Sequence, residues 1–339
     1  MRNKSVSFLE MLEYYFKIYL PTAKGLADST IKSYKTVFRL FIEYLFSKKG
    51  IKAGQISFVM LDTATIAGFL DWLENERGCS ITTRNHRLSA LTAFADYAQN
   101  RDFEAATIFR TSISKVPRKK GKKSKRSFFS REELKVLFNL PSASEIGVRD
   151  KTLLCFMYAS GARAQEVCDL TVGAVQFYSD RASVNIIGKG QKVRRIGIPK
   201  QASDILRKYI EHRKISIGKG KHIFSSQTHE KMSVSCIEEI FAKYIVRGKA
   251  EYPHLFQEEA YTPHSMRHTT ACHMLESGVP MIVVKNFLGH ASLQTTQIYA
   301  EITQDTMNRH LKSWNDKWFI KEAELDIEDA DERMPEFLK

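Results

Sequence analysis

The 339-residue chain has few cysteines, and the five present (Cys79, Cys155, Cys168, Cys236 and Cys272) are scattered and never form a Cys-x-x-Cys pair. That excludes a disulfide scaffold and the common zinc-finger spacings, and it fits free thiols in a reducing cytoplasm. No apolar run approaches the ~20 residues that a membrane-spanning helix requires, so no spanning segment is expected. Glu10 and Glu13 interrupt the only N-terminal stretch that could serve as a secretory signal, and no small-residue cleavage site follows it. There is no internal repeat. Between Thr111 and Ser127 there is no acidic residue at all.

What is abundant is positive charge. Lys and Arg number 52 against 38 Asp and Glu, a formal net charge of +14, and such a balance points to a polyanionic partner. The charge is unevenly spread. Residues 1–110 carry 15 basic and 11 acidic side chains, and residues 111–127 carry eight basic ones: Lys115, Arg118, Lys119, Lys120, Lys122, Lys123, Lys125 and Arg126. Residues 321–339 reverse the sign, with three basic and eight acidic side chains. Eight cations without a counter-charge repel one another unless a polyanion neutralises them, so the segment reads as a solvated linker that contacts phosphates. Arg84 and Arg87, on the amphipathic stretch at 82–99, are further candidates for phosphate contact.

Periodicity divides the chain into two folded parts. Phe8, Leu9, Leu12, Tyr15, Phe16 and Tyr19 recur at helical spacing, and Ser29 is expected to cap a second helix carrying Ile31, Tyr34, Val37, Phe38, Phe41 and Leu45, ended by Gly50. Further amphipathic stretches cover about 63–76 and 82–99, the latter with Leu88, Leu91, Phe94 and Tyr97 on one face. Beyond the basic segment, Ser130 and Glu133 form a capping box, residues 148–160 read as a buried helix, and VQFYSD, ASVNIIG and KVRRIGIP read as three strands. The last two are joined by a Gly-Lys-Gly turn at 188–190, and the chain is helical again from Gln201. The expected fold class is mainly α and multidomain: a helical N-terminal domain, then an α+β domain with a small antiparallel three-stranded sheet.

Three clusters could carry chemistry. In YTPHSMRHTTACHMLESGVPMIVVKNFLGHASLQTTQIYAEI, residues 261–302, Thr262 and Pro263 open a helix. His264 and Arg267 then share a face close to its positive end, a seat suited to phosphate. Gly289 closes the next helix and leaves His290 just beyond it, and Ser292 is placed to cap a third helix bearing Tyr299. In GARAQE, Arg163 and Glu166 fall at a loop-to-helix junction. Lys189 occupies the hairpin turn. His264, His268 and Cys272 follow zinc-like spacing on one helix, but Ser265 stands where a metalloprotease helix has its Glu, so no metal is expected.

These residues, Arg163, Lys189, His264, Arg267, His290 and Tyr299, in this order and spacing, resemble the tyrosine recombinase (phage integrase) family, most of all a mobile-element integrase without an arm-binding domain. HSMRH at 264–268 and LGHASLQTTQIY at 288–299 carry the resemblance most sharply. It implies a SAM-like core-binding domain at 1–110, a basic linker at 111–127, a catalytic domain at 128–303, and a C-terminal helix and acidic tail at 304–339 that contacts a neighbouring protomer. The implied function is site-specific recombination of double-stranded DNA, with the two domains clamping the duplex. The enzyme would act as a dimer on each site and a tetramer in synapsis, with accessory proteins in some systems, in the cytoplasm on the nucleoid.

The resemblance also implies roles. Tyr299 is the nucleophile that makes a 3′-phosphotyrosyl bond on the way to a Holliday junction. Arg163, Arg267 and His290 bind the scissile phosphate, His264 is a general base or donor, and Lys189 protonates the leaving 5′ oxygen. Glu166 orients the Arg and His groups, and His268 supports them. Because the phosphotyrosyl bond conserves the phosphodiester's energy, no cofactor is expected. Resolution of chromosome or plasmid dimers is the nearest alternative. A type IB topoisomerase-like activity and a non-catalytic DNA-binding regulator lie further off. The family's usual apolar residues are replaced by Ala162 and Ala164, and residues 246–260 form an insertion longer than in its simplest members.

Overall fold

A computed structural model describes residues 7–121, 127–215 and 220–290, Lys189 by its backbone alone. The chain folds into two compact units, Met1–Ser124 and Lys125–Lys339.

The N-terminal unit is helical. Helix α1 (Phe8–Tyr14) starts at a capping box between Ser7 and Glu10. It continues as a wider π-helical stretch over Tyr15–Ala23, where Pro21 has no N–H to donate and its ring would crowd the carbonyl of the preceding turn. Helix α2 (Asp28–Lys49) begins one residue before Ser29: Ala27 is the N-cap, and Asp28 complements the positive helix end where a capping hydroxyl was expected. Gly50 ends it in the left-handed region. Helices α3 (Thr63–Asn75), α4 (Ile81–Arg101) and α5 (Phe103–Ser114) are capped by Asp62, Ser80 and Asp102. The core is unusually aromatic. Phe94 of α4 meets Phe8, Tyr15 and Phe38 edge-on at centroid distances of 5.6, 5.1 and 5.0 Å.

Helix α5 corrects the expected start of the basic linker. Residues 111–114 are helical, and Ser112, Ile113 and Val116 are buried in the N-terminal unit. Ile113 and Val116 supply the apolar surface that holds this stretch down, although the charge run around it suggested solvation.

The second unit starts with α6 (Arg131–Asn139), capped by the Ser130–Glu133 box, and α7 (Glu145–Ser160). After the one-and-a-half-turn α8 (Ala164–Cys168) come β1 (Val175–Phe177), β2 (Arg181–Ile187) and β3 (Val193–Pro199). They form an antiparallel sheet in the order β1-β2-β3, with Val184 opposite Ile196 and Ile187 opposite Val193. Alternation buries Ala182, Val184, Ile186, Ile196 and Ile198 against α7 and α9 (Lys200–His212). Helices α10 (Val234–Glu251), α11 (Pro263–Glu276) and α12 (Met281–Leu288) follow and complete its described part.

Most of the 246–260 stretch is exposed, but Gly248 and Phe256 reach the core. Phe256, in the left-handed region at φ 59°, is fully buried beneath Gly248, where a Cβ would lie 2.6 Å from its ring. Its amide donates to Glu133 Oε1 at 2.6 Å and the Tyr261 hydroxyl donates to the same oxygen at 2.7 Å. The cap of α6 and the approach to α11 thus share one buried carboxylate.

Candidate functional site

The site is assembled from chain reversals and helix ends. Gly161 leaves α7 at φ 57°, packed so tightly that a Cβ there would lie 2.5 Å from Leu288 Cδ2. This left-handed residue turns the chain so that Arg163 becomes the extended N-cap of α8. Its backbone N–H donates to Glu166 Oε2 at 2.8 Å, and its guanidinium donates to Oε1 at 2.8 Å. Arg163 nonetheless keeps its side chain 36% exposed.

Arg267 lies one turn into α11 and is buried. One nitrogen donates to the Gly161 carbonyl at 2.6 Å and another to the Leu288 carbonyl, so the side chain ties α11 to the C-terminal ends of α7 and α12. Both acceptors are carbonyls that a terminating helix leaves without an intrahelical donor, and a guanidinium suits them in charge as well as geometry. Gly289 (φ 67°) closes α12, and His290 follows, its N–H bonded to the Lys285 carbonyl at 3.0 Å.

His290 is only 8% exposed. Burial, followed by the charges of Arg267, Arg163, His268 and Arg194, pushes its imidazole pKa down to about 4. His264, exposed on the first turn of α11, is also lowered, by partial desolvation and then by Arg267 and Arg163, with Glu238 pulling weakly the other way. Two neutral imidazoles therefore border two guanidiniums. Such a place is electropositive, and all four side chains can donate hydrogen bonds to an anion. His268 is half-buried one turn beyond His264, adding to the same positive field. Cys272, a further turn along, is fully buried, and burial raises its thiol pKa to about 12.

A residue that the motif reading overlooked sits behind these. Arg194 of β3 donates to Glu166 Oε1 at 2.9 Å and Oε2 at 2.7 Å, and its Nε donates to the Phe287 carbonyl at 3.1 Å. Burial raises the Glu166 pKa, but the hydrogen bonds and charge from Arg194, with the Arg163 amide and guanidinium, outweigh it, and the carboxyl lies below its ordinary range. The signal was legible in parity: Arg194 shares the core-facing side of β3 with Ile196 and Ile198, where an arginine needs a buried partner.

The remaining sequence candidates divide. Lys189 lies at the tip of the β2–β3 hairpin, whose turn passes through Gly190 at φ 74°. Its side chain, Tyr299, the 304–339 segment, Lys122, Lys123, Lys125 and Arg126 are outside what the structure describes. Lys115 and Lys120 are exposed, and Arg118 donates to Ser89 Oγ at 2.8 Å. Two expectations need correcting. Lys119 is not without a counter-charge, since its Nζ lies 2.8 Å from Glu74. Arg84, expected at the DNA surface, is 3% exposed. It pairs ionically with Glu74 at 2.8 Å and donates to the Pro117 carbonyl at 3.2 Å, bracing the segment after α5 against α4. Arg87 is half-buried, 2.8 Å from Cys79 Sγ.

Known proteins resemble this chain over most of its length. The phage integrase family matches residues 127–305, and the phage integrase N-terminal SAM-like domain matches residues 15–105. A putative integrase/recombinase, y4rC, of Sinorhizobium fredii is 30% identical over 302 residues, 89% of this chain and 90% of the relative. Tyrosine recombinase XerC of Leptospira interrogans is 27% identical over 289 residues, covering 85% and 87% of the two chains. Among solved structures, the Tn1549 transposon integrase bound to transposon right-end DNA superposes with a TM-score of 0.70 at 14% identity, over 91% of this chain and 99% of that one. The XerH recombinase in a post-cleavage complex with difH DNA gives 0.67 at 19% identity, over 86% and 82%.

Proposed function

This chain belongs to the phage integrase family of tyrosine recombinases, and we propose that it cuts and rejoins double-stranded DNA through a covalent bond between Tyr299 and a 3′ phosphate. The observation that carries the proposal is the convergence of two guanidiniums, Arg163 and Arg267, and two imidazoles, His264 and His290, whose pKa values burial and the neighbouring cations lower. The scissile phosphodiester is the anion that such a cluster of donors suits. Attack by the Tyr299 oxygen turns it into a pentacovalent, doubly charged species. The two guanidinium forks and the His290 imidazole hydrogen-bond its non-bridging oxygens more strongly as charge accumulates. The tyrosyl proton passes to His264, whose lowered pKa keeps it neutral and able to accept. The P–O5′ bond breaks as Lys189 delivers a proton to the leaving oxygen.

In the second half-reaction a 5′ hydroxyl from the partner duplex attacks the phosphotyrosine, the phosphodiester re-forms and Tyr299 is released. Bond for bond the exchange is balanced, and it requires neither a nucleotide cofactor nor a metal. Two such exchanges, separated by a Holliday junction, complete a recombination in a tetramer built from two site-bound dimers. Exposed Lys115 and Lys120, with Arg118 and the cations at 122–126, supply phosphate contacts that carry no sequence information. We assign the activity to integration and excision of a mobile element. The same chemistry serves dimer resolution, and the DNA that traps the enzyme decides between them.

The test is a covalent trap. Nicked duplexes tiling the DNA that flanks the enzyme's own gene are incubated in EDTA with wild type and with Tyr299→Phe, then run under denaturing conditions. A protein–DNA adduct with wild type alone supports the reading. An adduct that survives Tyr299→Phe, or tight binding with no adduct on any duplex, overturns it.

A further inference from the structure

We propose that Arg194 is a positioning residue that keeps Arg163 free to bind phosphate, by neutralising Glu166 in its place and by holding the His290 segment to the same carboxylate. The inference rests on the recombinase reading above and goes beyond it, because Arg194 lies outside the set of groups that would touch DNA.

The argument starts from charge balance. Glu166 is a buried carboxylate that accepts from four N–H groups, two of them from Arg194 and two from Arg163. Two guanidiniums on one carboxylate leave one positive charge over. Arg194 is the more enclosed of the two, its side chain 12% exposed, with its three bonded nitrogens all engaged inside the protein. Arg163 is three times more exposed and meets the same carboxylate through one guanidinium nitrogen. The surplus charge therefore resides at Arg163, on the side open to a ligand. Take Arg194 away, and Glu166 and Arg163 become a neutral pair, with the guanidinium drawn toward that carboxylate.

Arg194 also sets geometry. Its third bond, to the Phe287 carbonyl, falls three residues before His290. Gly289 passes so close that a Cβ would stand 2.9 Å from Arg194 Cδ. Gly188, at the base of the Lys189 hairpin, faces the same ion pair: a Cβ there would lie 3.6 Å from both Glu166 Oε1 and an Arg194 terminal nitrogen. One planar fork thus fixes the junctions of three segments that carry the reacting groups. A lysine has one point donor and cannot span two carboxylate oxygens and a carbonyl together.

The experiment uses the full-length chain and the nicked duplex that traps wild type. Arg194→Met is expected to slow adduct formation about a hundredfold, the cost of misplacing an active-site group by roughly an ångström, while duplex affinity changes less than about twofold. Glu166→Gln in that background removes the carboxylate that captures Arg163 and is expected to restore part of the rate. A brace that was merely structural would leave the double variant slower still. Arg194→Lys gives a folded comparison if Arg194→Met unfolds, and is expected about tenfold below wild type for want of the fork.

Arg194→Met or Arg194→Lys cleaving at the wild-type rate overturns the proposal, as does a double variant no faster than Arg194→Met. A titration of His290 by NMR separates this failure from failure of the recombinase reading. In Arg194→Met one cation is lost and Glu166 is less compensated, so the imidazole pKa must rise. An unchanged value overturns the role of Arg194 even where no duplex traps the wild-type enzyme.

Discussion

Gly161 provides the most direct test of how the site is held. A methyl group placed there meets two obstacles that the structure defines separately. The backbone sits at φ 57°, in the left-handed region that costs a residue bearing a Cβ about 1–2 kcal/mol. The new Cβ would also approach Leu288 Cδ2 to 2.5 Å. Leu288 is fully buried between α11 and α12, so it has little room to retreat, and overpacking of this kind costs about 1–3 kcal/mol. Gly161→Ala should therefore destabilise the second unit by about 3 kcal/mol.

The damage has a particular location. The Gly161 and Leu288 carbonyls both accept from Arg267, so these two anchors of that guanidinium shift together. Hydrogen-exchange mass spectrometry on the full chain reads the opening free energies of α7 and α11 peptides separately from those of the N-terminal unit. Adding Leu288→Ala should recover the steric share and leave the backbone share. A Gly161→Ala chain within about 0.5 kcal/mol of wild type in those peptides would refute the argument, because neither obstacle would then be real.

Two further outcomes follow from buried charge. Arg84→Met removes the Glu74 partner and the Pro117 bond, and should cost the N-terminal unit about 2 kcal/mol, Glu74 keeping Lys119. With Arg84 buried, the slope of log affinity against log salt is expected not to change, whereas Lys120→Met should lower it by about one. A reduced slope in Arg84→Met would restore that residue to the DNA surface. The second concerns acid stability. The His290 pKa is depressed in the folded state to about 4 from its ordinary 6.5, so the unfolded chain takes up a proton first as pH falls through that window. Stability is then level above pH 6.5 and falls toward pH 4, and His264 and His273, both lowered, act in the same direction. Thermal melts from pH 7 to 5 should show a shallower decline for His290→Gln than for wild type, and equal slopes would contradict the assignment.

Local chemistry made much of this protein readable in one dimension. Capping residues such as Ser130 and Thr262, chain-reversing Gly50 and Gly289, and the alternation of β2 and β3 act over a few residues, so their signals survive in the order of the amino acids. The family motif was legible for a related reason: attack on a phosphodiester demands particular donors, and they recur at set intervals along helices α8 and α11. Composition also pointed to a polyanionic partner, because net charge is a sum that folding does not alter.

Folding alone decided which charges are available. Arg84 and Arg87 have the same side chain on the same helix as any DNA-facing arginine, yet Arg84 is enclosed by Glu74 and Pro117, residues distant in sequence. Arg194 and Arg195 are neighbours in one strand. Parity sends Arg194 inward to Glu166 and Phe287, while Arg195 lies outward on Ser183. Glu133 is a helix cap by sequence, but it becomes a buried acceptor for Phe256 and Tyr261 only when a segment more than a hundred residues later folds over it. A charge is defined by what surrounds it, and its surroundings come from contacts between residues far apart in the chain. The sequence by itself therefore determined the kinds of groups that make this site and their order, and the tertiary structure decided which remain exposed to a phosphate and which are used to hold the others in place.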